Sequence, residues 1–248
     1  MIPQPQPKPV RRSLVLGRIA MLILTCWLLP LPSAPAQPGH SQDSHERHGN
    51  PTDIKGYLER LDSPDRDRDQ KPVEVVAALA LKSGMAVADV GAGSGYFTRR
   101  FVEAVTDEGT VYVVDVEREM LAYVKDSLDH LHAPYNAVFI LARPDSPKLP
   151  TESVDMIFLC NVLHHLEDRI AYFRHVVSAL KPGGRSRIVI IDFYHDERSG
   201  ELGFPKRHLV SREQVIAEMT RAGYRLLTEH RFLPKQYFLE FIPAGTSP

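Results

Sequence analysis

The sequence predicts an α/β fold of the doubly wound type, in which helices cover both faces of a mostly parallel, seven-stranded sheet. Short apolar runs alternate with amphipathic stretches from Lys71 onward. A glycine-rich loop directly follows the first apolar run, and the last two extended segments have no helix between them. With 248 residues, of which 43% are apolar and 25% charged, the chain is long enough for one such domain plus appendages.

Five short apolar runs predict parallel strands, because strands that are buried on both faces are rich in aliphatic and β-branched residues. Amphipathic stretches separate these runs and predict helices. The last predicted helix begins with a capping box of Ser211 and Gln214 and ends at Gly223. The predicted strands are residues 85–90, 110–114, 137–141, 154–159 and 187–193, and the predicted helices are residues 72–81, 96–105, 117–128, 168–180 and 211–222.

Residues 225–232 and 236–242 are two further strand-like segments near the C-terminal end. Pro234 and Lys235 lie at the turn between them, and so short a turn joins antiparallel neighbours. We therefore expect a sheet of seven strands whose last two form an antiparallel hairpin.

Residues 1–36 have the pattern of a cleavable export signal. The apolar run 19–31 spans about 20 Å as a helix, which is shorter than the roughly 30 Å hydrocarbon core of a membrane. Small residues follow at Ala34 and Ala36, the two positions that a signal peptidase reads. We expect cleavage after Ala36 and a periplasmic or extracellular protein. The segment contains four basic residues and no acidic residue: Lys8, Arg11, Arg12 and Arg18.

An uncleaved membrane anchor stays open as the alternative. It requires a helix that begins at Ser13, with the Arg18 side chain extended to the membrane surface. Positive charge lies only on the N-terminal side of the apolar run, so the rest of the chain faces outward in either case. Contact with a membrane is then confined to this segment.

Residues 37–70 predict a flexible linker, which leaves residues 71–248 as the folded domain. The segment contains prolines, glycines and the charge run 65–69, with little apolar periodicity. Its three closely spaced histidines have no rigid scaffold around them, so a solvated linker is favoured over a metal site. These histidines are His40, His45 and His48.

Charge and cysteine content exclude two classes of function. Four of the 30 Lys and Arg residues and none of the 31 acidic residues lie in residues 1–36, so the rest of the chain has a formal net charge of −5. An acidic body gives no electrostatic footprint for nucleic acid. Of the two cysteines only Cys160 lies outside the export signal, which excludes a disulfide framework or a zinc site built on cysteines.

The most informative segment is residues 87–96, Val-Ala-Asp-Val-Gly-Ala-Gly-Ser-Gly-Tyr. Glycines at alternate positions let the backbone turn sharply and approach a ligand where a Cβ atom would clash. The next helix is expected to begin near Gly95, so its free N–H groups point into the same crevice. Doubly wound sheets bind nucleotides at this loop, after the first strand.

Two residues, Tyr96 and Asp89, distinguish this loop from a dinucleotide site. The dinucleotide spacing needs glycine at position 96, where this chain has Tyr96. Asp89 would repel a pyrophosphate but attract a sulfonium and an amino group. Asp115 ends the second strand, where a carboxylate can accept hydrogen bonds from both ribose hydroxyls. Capping of the following helix is the plainer alternative for Asp115.

Together with residues 159–166 (Leu-Cys-Asn-Val-Leu-His-His-Leu) and 180–184 (Leu-Lys-Pro-Gly-Gly), these motifs resemble those of class I S-adenosylmethionine-dependent methyltransferases. The chain is most similar to the small-molecule branch that contains the ubiquinone/menaquinone C-methyltransferases, over about residues 71–242. This resemblance implies a Rossmann-like fold, S-adenosylmethionine as cofactor and a small-molecule methyl acceptor.

The resemblance also implies which residues hold the cofactor. The glycine loop and Asp89 would hold its methionine end, Asp115 its ribose, and Met120 its adenine. Asp145 lies where the family often has an acid at the adenine amino group, although the surrounding residues 143–147 depart from the usual motif. Asn161 would face both cofactor and acceptor. The implied cofactor-binding set is Asp89, Gly91, Ala92, Gly93, Gly95, Asp115, Val116, Met120, Asp145 and Asn161.

Methyl transfer from a sulfonium is an in-line displacement, so positioning of donor and acceptor supplies most of the acceleration. A general base is needed only if the acceptor must lose a proton. The side chains expected near the acceptor are Asn161, His164, His165, Asp192, Tyr194 and His195, each with packing or loop structure as the alternative role.

An exported enzyme must obtain a cofactor that is made in the cytosol. A working enzyme is favoured because the motifs are intact, and a start site placed too far upstream would remove the conflict. An exported, non-catalytic binding module for a nucleoside-like ligand is the alternative from another class. The sequence predicts neither the acceptor nor the oligomeric state.

Overall fold

The computed structural model describes residues 53–131, 134–202 and 205–245. All of them lie in one compact unit, Glu46–Pro248. The predicted export signal, its cleavage site and residues 37–52 of the predicted linker lie outside the described ranges. Within those ranges, no helix has the length and apolar character needed to cross a membrane.

Seven strands form a single sheet in the order β3-β2-β1-β4-β5-β7-β6. The first five strands are parallel, and β7 is antiparallel to both β5 and β6. This confirms the mostly parallel sheet with a C-terminal hairpin. The strands are β1 (Ala86–Val90), β2 (Thr110–Asp115), β3 (Ala137–Leu141), β4 (Met156–Cys160), β5 (Arg187–Phe193), β6 (Tyr224–His230) and β7 (Gln236–Pro243).

Helices cover both faces of the sheet, as the doubly wound prediction requires. Apolar side chains of α3, α4 and α5 pack on one face, and those of α6 and α7 pack on the other. The helices are α1 (Ile54–Leu61), α2 (Asp65–Gln70), α3 (Pro72–Leu79), α4 (Thr98–Val105), α5 (Arg118–Asp129), α6 (Arg169–Val176) and α7 (Arg212–Ala222), with short 3-10 turns at Leu163–His165, Val177–Ala179, Glu197–Ser199 and Lys206–His208.

Chain order reverses between β1 and β4, because the chain leaves β3 at one edge and returns beside β1. In sheets of this kind the loops that diverge on either side of such a reversal leave a crevice at the carboxyl ends of the strands. The loops after β1, β2 and β4 therefore surround one crevice.

Local sequence signals predicted most helix and strand boundaries to within two residues of the observed ones. Ser211 accepts a hydrogen bond from the Gln214 backbone N–H at 3.2 Å, and Gly223 ends α7 with a left-handed φ of 98°. The predicted capping box is only half formed, because the Gln214 side chain donates to Glu218 instead. The predicted helix 96–105 begins later, at Thr98, since turns occupy the residues after the glycine loop.

The prediction of a flexible linker is wrong for residues 54–70, which form α1 and α2. Asp53 caps α1 by accepting a hydrogen bond from the Gly56 N–H at 3.0 Å. Apolar residues in α1 recur at the spacing of one helix face, which buries Leu58. That face consists of Ile54, Tyr57, Leu58 and Leu61.

The charge run 65–69 resembles a solvated segment in the sequence because its partners are distant in the chain. Asp69 accepts a hydrogen bond from the Lys235 ammonium group at 2.7 Å. Asp67 accepts one from the Tyr96 hydroxyl, and the Arg66 guanidinium lies 4.1 Å from the centre of the Tyr96 ring. These contacts hold α2 against the domain.

Asp62, in the turn between α1 and α2, is a second attachment. Its carboxylate accepts hydrogen bonds from the Ser94 hydroxyl at 2.8 Å, the Arg99 guanidinium at 2.6 Å and the Tyr123 hydroxyl at 2.9 Å. Ser94 belongs to the glycine loop and Tyr123 to α5. Arg99 belongs to α4, so one carboxylate ties the N-terminal helices to three parts of the domain.

We expect Asp62→Ala to loosen α1 and α2 while the sheet stays folded. Loss of hydrogen bonds to a charged group costs about 1.5–3 kcal/mol, which corresponds to exchange of the α1 and α2 amide hydrogens about tenfold or more faster. Hydrogen exchange read by mass spectrometry measures this, with Glu59→Ala on the exposed side of α1 as control. Unchanged exchange in Asp62→Ala would show that the carboxylate does not hold the helices.

Candidate active site

Two buried carboxylates lie on the same face of the sheet at the carboxyl ends of β1 and β2. Asp89 is paired in register with Val113, and Asp115 is two residues further along β2. Because side chains alternate along a strand, Asp89, Val113 and Asp115 point to the same side. Asp89 is 3% exposed and Asp115 is 7% exposed.

The glycine loop connects these two acids. Gly91, Gly93 and Gly95 have φ values of 72°, 55° and 76°, which side chains rarely adopt. A Cβ atom on Gly91 would lie 2.5 Å from a Val162 methyl group, and one on Gly95 would lie 2.9 Å from a Val124 methyl group. The loop can therefore adopt this shape only without side chains at these glycines. The Gly93 N–H donates to the Asp115 carboxylate at 2.9 Å.

Asp89 has an unusual protonation equilibrium. Burial raises the pKa of its carboxyl to about 7, although the Thr98 hydroxyl, at 2.5 Å, favours the ionised form. Thr98 is the first residue of α4, and no local sequence pattern indicates its contact with Asp89. A cation placed beside Asp89 would favour its ionised form further.

The Asp115 carboxylate accepts hydrogen bonds both from the glycine loop and from the start of the next helix. One carboxylate oxygen accepts from the Gly93 N–H, and the other accepts from the Glu117 N–H at 3.0 Å, where α5 begins. Burial raises the pKa of Asp115, and these backbone N–H groups oppose that rise. The capping alternative is thus met only at Glu117, the N-cap residue that directly precedes α5. Each carboxylate oxygen can still accept another hydrogen bond, so capping does not exclude ribose binding.

The end of β4 contributes Cys160 and Asn161. Burial raises the pKa of the Cys160 thiol to about 12, so the thiol stays protonated and is a poor nucleophile. Asn161 has a left-handed φ of 59°, and its side-chain oxygen accepts from the Gln236 amide at 2.8 Å. Gln236, from β7, was missed by the sequence analysis because it enters only through the hairpin. It is 1% exposed, and among the described residues its Oε1 has no hydrogen-bond partner.

Asp192, proposed above as a side chain near the acceptor, instead holds a loop. It lies on the sheet face opposite to Asp89, since it points to the same side as Ile188 and Ile190, which belong to the other core cluster. Its carboxylate accepts from the backbone N–H groups of Leu163 at 3.2 Å and Phe193 at 2.8 Å. Burial raises the pKa of Asp192 to about 7.

The histidine and tyrosine candidates occupy different positions at this edge. The His164 and His165 rings are 4.1 Å apart, and His165 is near enough to Asp115 to favour its ionised form. His195 is exposed. Tyr194 is 8% exposed and lies under the Arg198 guanidinium, 3.5 Å from its ring centre. It lines a cavity of about 450 Å³ together with Arg198, Arg212, Glu213, Glu229, Arg231, Leu233 and Pro234.

The remaining residues of the implied cofactor-binding set are less clearly grouped. Val116 is 46% exposed directly after Asp115, and Met120 is 1% exposed in the first turns of α5. Asp145 is largely exposed and pairs with Arg143 at 3.0 Å. Ala92 lies in the loop between Gly91 and Gly93 and is half-buried. Their roles at the cofactor stay predictions.

Helices α1 and α2 bring residues to this site that the linker prediction excluded. Burial raises the pKa of Tyr57, and the nearby Asp115 carboxylate adds to the rise. The Leu61 side chain lies 3.2 Å from the position that a Cβ atom on Gly93 would take. The helical spacing of Tyr57 and Leu61 in the sequence was the signal that could have placed them here.

The arrangement fits an adenosyl sulfonium. A glycine loop at the switch point of the sheet, one buried acid beside it and a second acid one strand away provide the backbone groups and the opposite charge that such a ligand requires. Among residues 53–131, 134–202 and 205–245, no group of three or more potential metal ligands occurs.

Comparisons with known proteins agree with this geometry. A family model described as a methyltransferase domain matches residues 88–186. A ubiquinone/menaquinone biosynthesis C-methyltransferase from Vibrio campbellii is 28% identical over 163 residues, which cover 64% of this chain and 62% of the Vibrio protein. A crystal structure of an S-adenosylmethionine-dependent methyltransferase from Aquifex aeolicus is 26% identical, with a TM-score of 0.69 over 76% of this chain and 97% of the Aquifex chain.

This chain thus spans about three fifths of the length of that curated relative. The crystal structure of the cyclase SpnF is 15% identical, with a TM-score of 0.57 over 71% of this chain and 81% of SpnF. At that identity the similarity concerns the fold alone.

We expect the buried Asp192 to make stability fall as pH rises. A carboxyl with a pKa of about 7 when folded, but an ordinary one when unfolded, stabilises the folded state fully below about pH 4 and loses this contribution up to about pH 7. Asp192→Asn lacks this contribution. As pH rises through this window, the free energy of unfolding of Asp192→Asn should therefore increase relative to that of the wild type by about 1.4 kcal/mol per pH unit.

Urea unfolding between about pH 5 and pH 8 measures this difference. Asp145→Asn, at an exposed acid, is the control and should follow the wild-type pH dependence. Parallel curves for Asp192→Asn and the wild type would show that Asp192 is ionised in the folded protein at these pH values.

Proposed function

We propose that this chain, a class I S-adenosylmethionine-dependent methyltransferase by fold and by sequence similarity, transfers a methyl group from S-adenosylmethionine to a small-molecule acceptor. The observation that supports this most strongly is the position of Asp89 and Asp115 on one sheet face, with the glycine loop hydrogen-bonded to Asp115. Bound cofactor supplies an electrophilic methyl group on a sulfonium.

Asp89 and Asp115 have different parts in this proposal. Ionised Asp89 attracts the positive charges at the methionine end, in a buried place where such an attraction is stronger than in water. Asp115 accepts hydrogen bonds from the ribose hydroxyls with the acceptor capacity that Gly93 and Glu117 leave open. Both therefore fix the cofactor relative to the crevice.

A small acceptor is favoured by the charge of the body. Its net charge of −5 provides no attraction for nucleic acid. The Vibrio relative is a C-methyltransferase of ubiquinone/menaquinone biosynthesis, and a small acceptor agrees with that likeness. Since the cyclase SpnF has the same fold, methyl transfer by this chain has to be tested by turnover.

Positioning is the main contribution that we propose for the protein's own residues. Asn161, held by the hydrogen bond from Gln236, would face both the cofactor and the acceptor. His165, Tyr194 and His195 stay the candidates for a general base, which is needed only for an acceptor that must lose a proton.

We propose an exported location, periplasmic or extracellular, on the sequence pattern of residues 1–36. An uncleaved anchor would place the same domain on the outer side of the membrane.

We expect Asp115→Asn to weaken binding of S-adenosylhomocysteine by about tenfold to a hundredfold, because hydrogen bonds to a charged acceptor are lost. Isothermal titration calorimetry measures this, and the melting temperature shows whether the variant is folded. Asp107→Asn, at an exposed acid, is the matched control. Equal affinities in the wild type and Asp115→Asn would exclude the ribose role.

The same titration of the wild type, followed by a scan of small acceptors for S-adenosylhomocysteine release, tests the reaction. Tight binding without turnover on any acceptor would favour a non-catalytic binding module. Absence of binding at millimolar ligand would contradict both functions.

We expect affinity for S-adenosylmethionine to rise about tenfold from pH 6 to pH 8, because a cation binds the ionised form of a group whose pKa is about 7. In Asp89→Asn this rise should be absent. Titration calorimetry at several pH values makes the comparison, and the variant corrects for ionisation of the ligand itself. The same pH dependence in both proteins would rule out Asp89 as the group that binds the cation.

A further inference from the structure

Arg66, in α2, is a charged side chain turned inward over the crevice. Its guanidinium donates to the Leu61 carbonyl and, at 2.8 Å, to the Gln70 side-chain oxygen. It also lies 4.1 Å from the centre of the Tyr96 ring. All of these partners are uncharged, and among the described residues no carboxylate forms an ion pair with Arg66.

Four other partly buried arginines among the described residues are neutralised by ion pairs. Each forms an ion pair with a carboxylate, at distances of 2.6 to 2.7 Å. Burial of a cation without a partner is expensive, and burial lowers the pKa of the Arg66 guanidinium. An anionic ligand would supply the missing partner for Arg66. The paired arginines are Arg99, Arg169, Arg187 and Arg212.

Two contacts and one charge interaction place Arg66 beside the loop that we propose for the methionine end of the cofactor. Tyr96, which it stacks on, directly follows Gly95 of the loop. Leu61, whose carbonyl it binds, packs against Gly93. Its charge also reaches Asp89 and Cys160, at the ends of β1 and β4.

We propose that Arg66 binds the α-carboxylate of the cofactor's methionine moiety. The inference rests on the proposed function. That end of the cofactor has positive charge on sulfur and nitrogen and negative charge on the carboxylate, so one acid and one base are its natural complement. Asp89 is the acid, and Arg66 is the base.

A guanidinium suits this role because its planar set of donors matches a carboxylate. Gln70, 6% exposed, and the Tyr96 ring hold the guanidinium in place before the ligand arrives. Less side-chain freedom is then lost on binding. Helices α1 and α2 would thus provide part of the cofactor site as well as cover it.

The test compares two ligands that differ only in the carboxylate: S-adenosylhomocysteine and its decarboxylated analogue. The full chain should bind S-adenosylhomocysteine about tenfold to a hundredfold more tightly than the analogue. Arg66→Met should lose this preference by weakening the first ligand and leaving the second unchanged. Arg66→Lys keeps the charge without the planar fork and should lose only part of the preference.

Arg100→Met is the matched control. Arg100 contacts the same Tyr96 ring at 4.4 Å, but it is paired with Asp67 at 3.6 Å. The Arg100→Met variant should keep the wild-type preference for S-adenosylhomocysteine over the analogue. Hydrogen exchange of α1 and α2 in each variant shows whether the helices stay in place, and Arg66→Lys keeps the test informative if Arg66→Met loosens them.

Equal weakening of both ligands in Arg66→Met with intact helices would overturn the proposal, since Arg66 would then act only on structure. Retention of the preference in Arg66→Met would also overturn the proposal. If that variant then had a raised KM for an anionic acceptor, the anion that Arg66 binds would belong to the acceptor. If the wild type binds S-adenosylhomocysteine and the analogue equally well, the proposed role of Arg66 is refuted and the proposed function is not. A wild type that binds neither ligand refutes the proposed function as well.

Discussion

The hydrogen bond from the Gly93 N–H to the Asp115 carboxylate is the constraint on which the site depends. It joins the loop after β1 to the end of β2, and the same carboxylate accepts from Glu117 at the start of α5. The loop can make this bond only because Gly91 and Gly95 leave no Cβ atom in the way of Val162 and Val124. Backbone shape, strand order and charge are thereby fixed together, so the crevice is formed before any ligand enters.

Burial of charge is a recurring cost in this domain. At the sheet edge, burial raises the pKa values of Asp89 and Asp192 to about 7, because it outweighs the opposing influence of Arg66 on Asp89 and of Arg169 on Asp192. The two acids lie on opposite faces and bind different elements. Asp192 accepts the backbone N–H groups of Leu163 and Phe193, and Asp89 accepts from Thr98 at the start of α4.

Helices α1 and α2 show how a polar segment becomes part of a fold. Their acids bind donors from several elements: Asp62 binds Ser94, Arg99 and Tyr123, and Asp69 binds Lys235. Charge-assisted hydrogen bonds hold the segment in addition to the apolar face of α1. Such an attachment is local in free energy and can open without unfolding of the sheet. The cofactor crevice therefore has one rigid side, the strand ends, and one side with weaker attachment.

The sequence by itself determined the α/β alternation, the C-terminal hairpin, the glycine loop and the two acids, because each depends on residues close together in the chain: periodicity, turn residues, and spacing from a strand end. Tertiary structure alone decided the contacts of Arg66, Gln236 and Asp192. Arg66 lies in a charge run whose partners Gln70 and Tyr96 become neighbours only when α2 packs on the loop. Gln236 reaches Asn161 through the antiparallel insertion of β7 beside β5. Asp192 faces away from Asp89 because strand register sets its side of the sheet. Contacts of this kind depend on which distant segments meet, and local propensity has no information about that.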